Sequence, residues 1–188
     1  IDYASINGAT IINMSFGSYA ESYTMKIALE NAYSTSYLVA AAGNNNLPIG
    51  FTSCIIAPPS PYYPAAYSYV FGVMDVTCGY SNNDLDGPIA TDYPNLLNYE
   101  LHAPGTNIMS TIPNGGYATL TGTSMSSPLV AGGLALYLEI NTEQSKELTF
   151  GSLIFNSNYF VDFLTAMETE PVSKLYVISK SLRDTINN

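Results

Sequence analysis

The residues best suited to chemistry are gathered in Gly122-Thr123-Ser124-Met125-Ser126-Ser127-Pro128-Leu129-Val130-Ala131-Gly132. Gly122 permits a sharp backbone turn. Thr123 is a candidate N-cap, which places Ser124 in the first turn of a helix. Pro128 is compatible with that helix near its start, where backbone N–H groups lack partners anyway. From Leu129 to Leu138 the chain is apolar nearly all round, the pattern of a helix buried on every side. A serine at such an N-terminus has backbone N–H groups and the positive end of the helix dipole around it. That environment suits a hydroxyl whose attack on a carbonyl creates an oxyanion. Taken alone, the same eleven residues also describe a serine-rich cap on a core helix.

The elements that must position this serine read as alternating strands and helices. Residues 1–7 resemble the last turns of a helix, with Gly8 as its C-cap. Thr10–Met14 is a short β-branched, apolar run, as in a strand buried on both faces. A helix is expected over residues 21–33, with Tyr23, Ile27, Leu29 and Ala32 among its apolar positions. Tyr37–Ala42 is a second buried strand. Strand, helix and strand of these lengths make a βαβ unit with parallel strands. A Pro- and Tyr-rich loop follows, then a third strand over residues 69–74. A hairpin fits Ile108–Ile112 and Tyr117–Thr121 around Pro113-Asn114-Gly115-Gly116. Helix is expected over residues 143–167 and a strand over 175–178.

Composition narrows the partners. With 47% hydrophobic and 11% charged residues the chain is globular rather than disordered. The net charge of −10 and the lack of any basic stripe make nucleic acid a poor partner. No run reaches the roughly 18 apolar residues of a membrane span. Residues 1–140 carry a single basic residue, Lys26, whereas Lys146, Lys174, Lys180 and Arg183 follow, which puts a boundary near Asn141. Cys54 and Cys78 fit either a disulfide or two buried thiols. The low charge and 16 tyrosines agree with an extracellular protein.

Several blocks, in order along residues 1–140, resemble the subtilisin-like serine proteases (subtilases, peptidase S8). Gly122–Gly132 is similar to the family's nucleophile motif, which makes Ser124 the nucleophile, with Thr123 beside it as a substrate-binding residue and Ser126 and Ser127 structural. Ala41-Ala42-Gly43-Asn44 is similar to the oxyanion segment, with Asn44 donating a side-chain N–H and Ser124 a backbone N–H. Read without the family, Asn44 is a turn residue in the left-handed conformation. Ile12-Asn13-Met14-Ser15-Phe16-Gly17 is similar to the strand and loop that align the substrate backbone, so Ser15, Phe16, Gly17, Ala41, Ala42 and Gly43 would line the peptide groove. Ala103-Pro104-Gly105 and its spacing to Ser124 also match. Tyr63-Pro64 resembles the family's Tyr-Pro after the substrate pocket. There Tyr62 replaces a small residue and would fill the pocket base.

The resemblance implies an α/β fold, a parallel sheet with helices on both faces, of which this chain supplies the C-terminal half. Residues 141–188 are then closing helices of that domain or the start of an extension. It implies a polypeptide substrate and an extracellular or cell-surface location. It implies no cofactor. Some relatives carry a structural calcium, but no site for one is identifiable here. The family's catalytic aspartate and histidine precede the Ile12 block, so the upstream half of the domain is an expected partner and the isolated chain is expected to be nearly inactive. The sole histidine, His102, sits where the family has no catalytic residue. A non-catalytic peptide-binding module derived from a subtilase is the alternative.

Overall fold

The computed structural model of the chain describes residues 1–49, 61–76, 81–84, 99, 101–140 and 146. Helix α1 (Asp2–Ile6) is closed by Gly8 at φ +83. The Gly8 and Ala9 N–H groups donate to the Ser5 and Ala4 carbonyls, both at 3.0 Å, a closure that a left-handed glycine permits. Then come β1 (Ile11–Met14), α2 (Tyr23–Tyr33) and β2 (Tyr37–Ala41). The Ser22 side chain caps α2 by accepting from the Met25 N–H at 3.3 Å. Two-residue β3 (Pro48–Ile49), β4 (Phe71–Asp75), two-residue β5 (Asn83–Asp84) and β6 (Leu101–Ala103) follow. The hairpin β7 (Ile108–Ile112) and β8 (Gly116–Leu120) leads into α3 (Thr123–Ile140).

The main sheet is parallel throughout, in the order β1-β2-β4-β6. Alternate residues feed two separate cores. Ile12, Met14, Leu38, Ala40 and Met74 point to the side covered by Leu29 and Ala32 of α2. Val39, Phe71, Val73, Leu101 and Ala103 point to the side covered by Val130, Leu134 and Tyr137 of α3. A strand buried on both faces is apolar nearly throughout, and β2 and β4 are buried along their whole length, with Asp75 at the end of β4 the one charged residue among them. The expected parallel sheet with a helix on each face is therefore present.

Several boundaries and faces differ from the sequence reading. The third strand starts at Phe71 rather than Tyr69. Tyr67 to Val70 instead closes a turn through a 2.8 Å backbone bond. Strand β6, whose three residues are too short to show a period, carries His102, in keeping with the reading of that histidine as a strand-end residue. Tyr23 and Ile27 of α2 face outward, and the helix buries a narrow stripe at Leu29 and Ala32. Helix α3 is not buried on every side. Val130, Leu134 and Tyr137 meet the sheet, while Pro128, Gly132 and Ala135 are exposed. Small residues on that far side made the pattern look uniformly apolar. The hairpin is present, its first strand as expected and its second one residue earlier, at Gly116–Leu120, with Asn114 and Gly115 at φ +70 and +80 in the turn. Cys54, Cys78, the helix over 143–167 and the strand over 175–178 lie outside the described residues.

Leu134 is fully buried between α3 and the sheet. Leu134→Ala should lower unfolding stability by about 2–5 kcal/mol in denaturant titration. A loss under about 0.5 kcal/mol would mean that α3 does not pack there.

Candidate active site

The carboxyl ends of β1 and β2 and the N-terminus of α3 meet at one place. In an open parallel sheet this end is where loops gather to form sites. The residue after β1 is Ser15, the residues after β2 are Ala42, Gly43 and Asn44, and α3 begins at Thr123. Sequence reading made Thr123 the N-cap. It is instead the first helical residue, and the Met125 N–H donates to the Gly122 carbonyl at 2.9 Å. The Thr123 hydroxyl works across the site. It accepts from the Gly43 N–H at 3.1 Å and donates to Asn44 Oδ1 at 3.1 Å. The Thr123 N–H donates to the same Asn44 Oδ1 at 2.9 Å.

These bonds decide which way the Asn44 amide faces. Its oxygen is taken twice by Thr123, so Nδ2 is the end left for another acceptor. Among the described residues Asn44 Nδ2 has no protein partner, and Asn44 is exposed. Asn44 lies in a turn but is not itself in the left-handed conformation. The left-handed residues of this segment are Gly43 at φ +97 and Asn46 at φ +52. Gly122 must be glycine: at φ +146 it lies so close that an added Cβ would stand 3.0 Å from Asn44 Nδ2.

Ser124 sits in the first turn of α3, half-buried, with its Oγ donating to the Ser15 carbonyl at 3.4 Å. Pro128 has no N–H to offer the Ser124 carbonyl four residues back. The Ser15 hydroxyl supplies the missing donor at 3.0 Å. Asn13 Nδ2 in turn donates to Ser15 Oγ at 3.0 Å, and Ser127 Oγ donates to Asn13 Oδ1 at 2.5 Å. One chain of hydrogen bonds thus ties the end of β1 to the start of α3.

The segment beyond Ser15 is strapped to the loop before β4. Ser18 and Tyr63 exchange two backbone hydrogen bonds at 2.8 Å each. Phe16 is exposed. The Tyr62 ring lies against Gly17 and Gly43. A Cβ on Gly17 would come within 2.4 Å of Tyr62 Cε1, and one on Gly43 within 3.1 Å of Tyr62 Cδ1. Tyr19 stacks edge-on against the same ring at 4.9 Å. Burial first, and the neighbouring Tyr19 second, push the Tyr62 hydroxyl pKa up. Ala41, at the end of β2, and Ala42, just after it, have buried side chains. Ala42 spends its N–H on the Val73 carbonyl at 2.9 Å and so serves to aim Gly43 and Asn44.

A profile of the Subtilase family matches residues 1–172. The chain belongs to the subtilase family. It is 36% identical over 138 residues to Subtilisin DY of Bacillus licheniformis, covering 73% of this chain and 46% of that protein. To Subtilisin E of Bacillus subtilis (strain 168) it is also 36% identical, covering 33% of that protein. Among solved structures, the S41 Psychrophilic Protease superposes with a TM-score of 0.65 at 31% identity, covering 82% of this chain and 52% of that one. Sphericase superposes with a TM-score of 0.62 at 32% identity, covering 81% and 50%. The subtilase chain thus spans under half the length of these two subtilisins.

His102 of this subtilase chain lies on β6, three strands from β1 and hence about 14 Å across the sheet from the Ser15 end. Partial burial lowers its pKa below that of a free imidazole. Ser124 and His102 are not hydrogen-bonded to each other. Among the described residues no group of three or more His, Cys, Asp or Glu side chains could hold a metal ion. Also among the described residues, no helix is long and apolar enough to cross a membrane. Sequence reading missed Asp75. It is buried at the end of β4, accepting from the Gly105 N–H at 3.1 Å and from Thr106 Oγ1 at 2.9 Å. The Gly105 carbonyl then accepts from the Gly122 N–H at 2.8 Å, so Asp75 sets the turn that launches α3. A lone aspartate at a strand end carries no pattern that would have marked it.

Thr123→Val keeps the side-chain shape but strands the buried Gly43 N–H. It should cost about 1–3 kcal/mol in thermal unfolding, with Thr123→Ser recovering most of the loss. Equal stability of the Thr123→Val variant and the wild-type protein would show that the hydroxyl bridge is not formed.

Proposed function

We propose that the protein carrying this chain is a serine endopeptidase of the subtilisin type, with Ser124 as nucleophile. The observation that carries the reading is the fixed orientation of the Asn44 amide beside the Ser124 end of α3. Ser124 Oγ attacks the scissile carbonyl, forming the Oγ–C bond as its proton passes to a general base. The electron pair of the carbonyl moves onto oxygen, where Asn44 Nδ2 and the Ser124 N–H receive it. Collapse breaks the C–N bond, the base returns its proton to the leaving amine, and water then releases the acyl group by the same route. Nucleophile and oxyanion donors are all groups of the chain itself, so the reading needs no cofactor.

The same reading assigns the remaining parts. Ser15, Phe16 and Gly17 align an extended polypeptide by main-chain hydrogen bonds. Tyr62, wedged against Gly17 and Gly43, shortens the pocket for the residue before the scissile bond and favours small or medium side chains there. The base and the aspartate that orients it come from the half of the domain that precedes residue 1, as the family order implies. That half would also cover β1, an edge strand of the sheet among the described residues. The isolated chain is then nearly inactive, since a serine hydroxyl without a base is a weak nucleophile. An extracellular or cell-surface location accords with the low charge and the family.

Three measurements test this. A fluorophosphonate probe should label Ser124 in a form extended to include the candidate Asp and His, and not in Ser124→Ala. No labelling of the extended form would favour the non-catalytic peptide binder. In the active protein, Asn44→Ala should lower kcat by about 10²–10³, the magnitude known for one oxyanion donor from a subtilisin itself. Tyr62→Gly should raise kcat/KM for substrates with a large aromatic residue before the scissile bond. An unchanged ratio of aromatic to small substrates would remove Tyr62 from the pocket.

A further inference from the structure

Asn82 is fully buried, just ahead of β5, and neither charge nor a motif singles it out. Its side chain uses all of its hydrogen-bonding capacity, two acceptor positions and two donor hydrogens. Oδ1 accepts from the Asn45 N–H at 3.2 Å and the Leu47 N–H at 2.9 Å. Nδ2 donates to the Ala42 carbonyl at 2.8 Å and to the Tyr19 hydroxyl at 2.9 Å. The Asn82 N–H donates to the Gly43 carbonyl at 2.9 Å. Tyr19 passes its own hydroxyl proton on to Asn45 Oδ1 at 3.1 Å. Beyond the turn, β3 and β5 pair in parallel, Pro48 beside Asn83 and Ile49 beside Asp84.

Every bond Asn82 makes to a backbone group lands on the turn that carries Asn44. Residues 42, 43, 45 and 47 are held, and Asn44 lies between them. We propose that Asn82 is the positioning residue of the oxyanion site, clamping this turn from behind and so fixing where Asn44 Nδ2 points. Thr123 fixes the Asn44 side chain from the helix side, and Asn82 fixes its backbone from the sheet side. The clamp sits close against the turn: a Cβ on Gly43 would meet Asn82 Nδ2 at 2.6 Å. Asn82 touches no substrate. Its effect is on the developing negative charge, which demands donors placed in advance.

This inference rests on the protease reading above, and the test separates the two. In the active full-length protein, Asn82→Ala should lower kcat by about tenfold or more, with KM within about twofold. It should weaken inhibition by a peptide aldehyde, which forms a tetrahedral adduct, by a similar factor. In an Asn44→Ala background the same substitution should cost less than about twofold, because both act through one donor. A general structural defect would instead lower both backgrounds alike, and that additive result overturns the proposal. If Asn82→Ala does not fold, Tyr19→Phe keeps the ring on Tyr62 and removes only the hydroxyl between Asn82 and Asn45. It should lower kcat several-fold, again only while Asn44 is present. A wild-type rate in Tyr19→Phe then overturns the proposal. A parent protein that neither labels nor cleaves fails the protease reading first. An active parent with a fully active Asn82→Ala fails this inference alone.

Discussion

One exchange of hydrogen bonds holds the site together: Thr123, at the start of α3, grips Asn44 and Gly43, at the end of β2. The partners are 79 and 80 residues apart in sequence. The exchange forms only if the βαβ unit, β4 and the Gly105 turn have all brought α3 to the sheet. In return it fixes the orientation of the Asn44 amide, one of the donors the proposed chemistry uses. An asparagine amide can point either end at a ligand. Here the oxygen is committed to the protein, and the N–H end is left for the ligand.

The second constraint is the helix itself. A proline six residues into α3 leaves the Ser124 carbonyl without its helical donor. The same residue's hydroxyl donates to the Ser15 carbonyl. Ser15 fills the gap, and through Asn13 and Ser127 it couples the β1 loop to the helix. What looks like a weakness in the helix is the point at which a second strand is attached. The Ser15 loop and Ser124 are therefore placed by the same bonds.

Much of this was legible in the sequence. Fully apolar strands such as Tyr37–Ala41 announce a sheet covered on both faces, and the glycine, proline and serine spacing around Ser124 announces a turn into a helix. Tyr62 in place of a small residue was visible too, and the ring does lie against Gly17 and Gly43. Other features were not legible because they depend on contacts rather than on patterns. Thr123 looks like an N-cap by type, yet a competing partner across the fold takes its hydroxyl. Strand β6 is too short to show a period, and it exists because Val73 and Met74 offer it a ladder. Asp75 and Asn82 are single polar residues in loops or at strand ends, and only burial with saturated bonding reveals what they do. The exposed side of α3 was hidden by small residues that read as apolar without being interior.

The account stands on the claim that Asn44 and the Ser124 N–H converge on one point beside Ser124 Oγ. A crystal structure of the full-length protein phosphonylated on Ser124 tests that directly. The account predicts the phosphonyl oxygen about 2.7–3.1 Å from both Asn44 Nδ2 and the Ser124 nitrogen, with Asn44 Oδ1 still bonded to Thr123. A phosphonyl oxygen turned to solvent, with Asn44 Nδ2 bonded elsewhere, would contradict it.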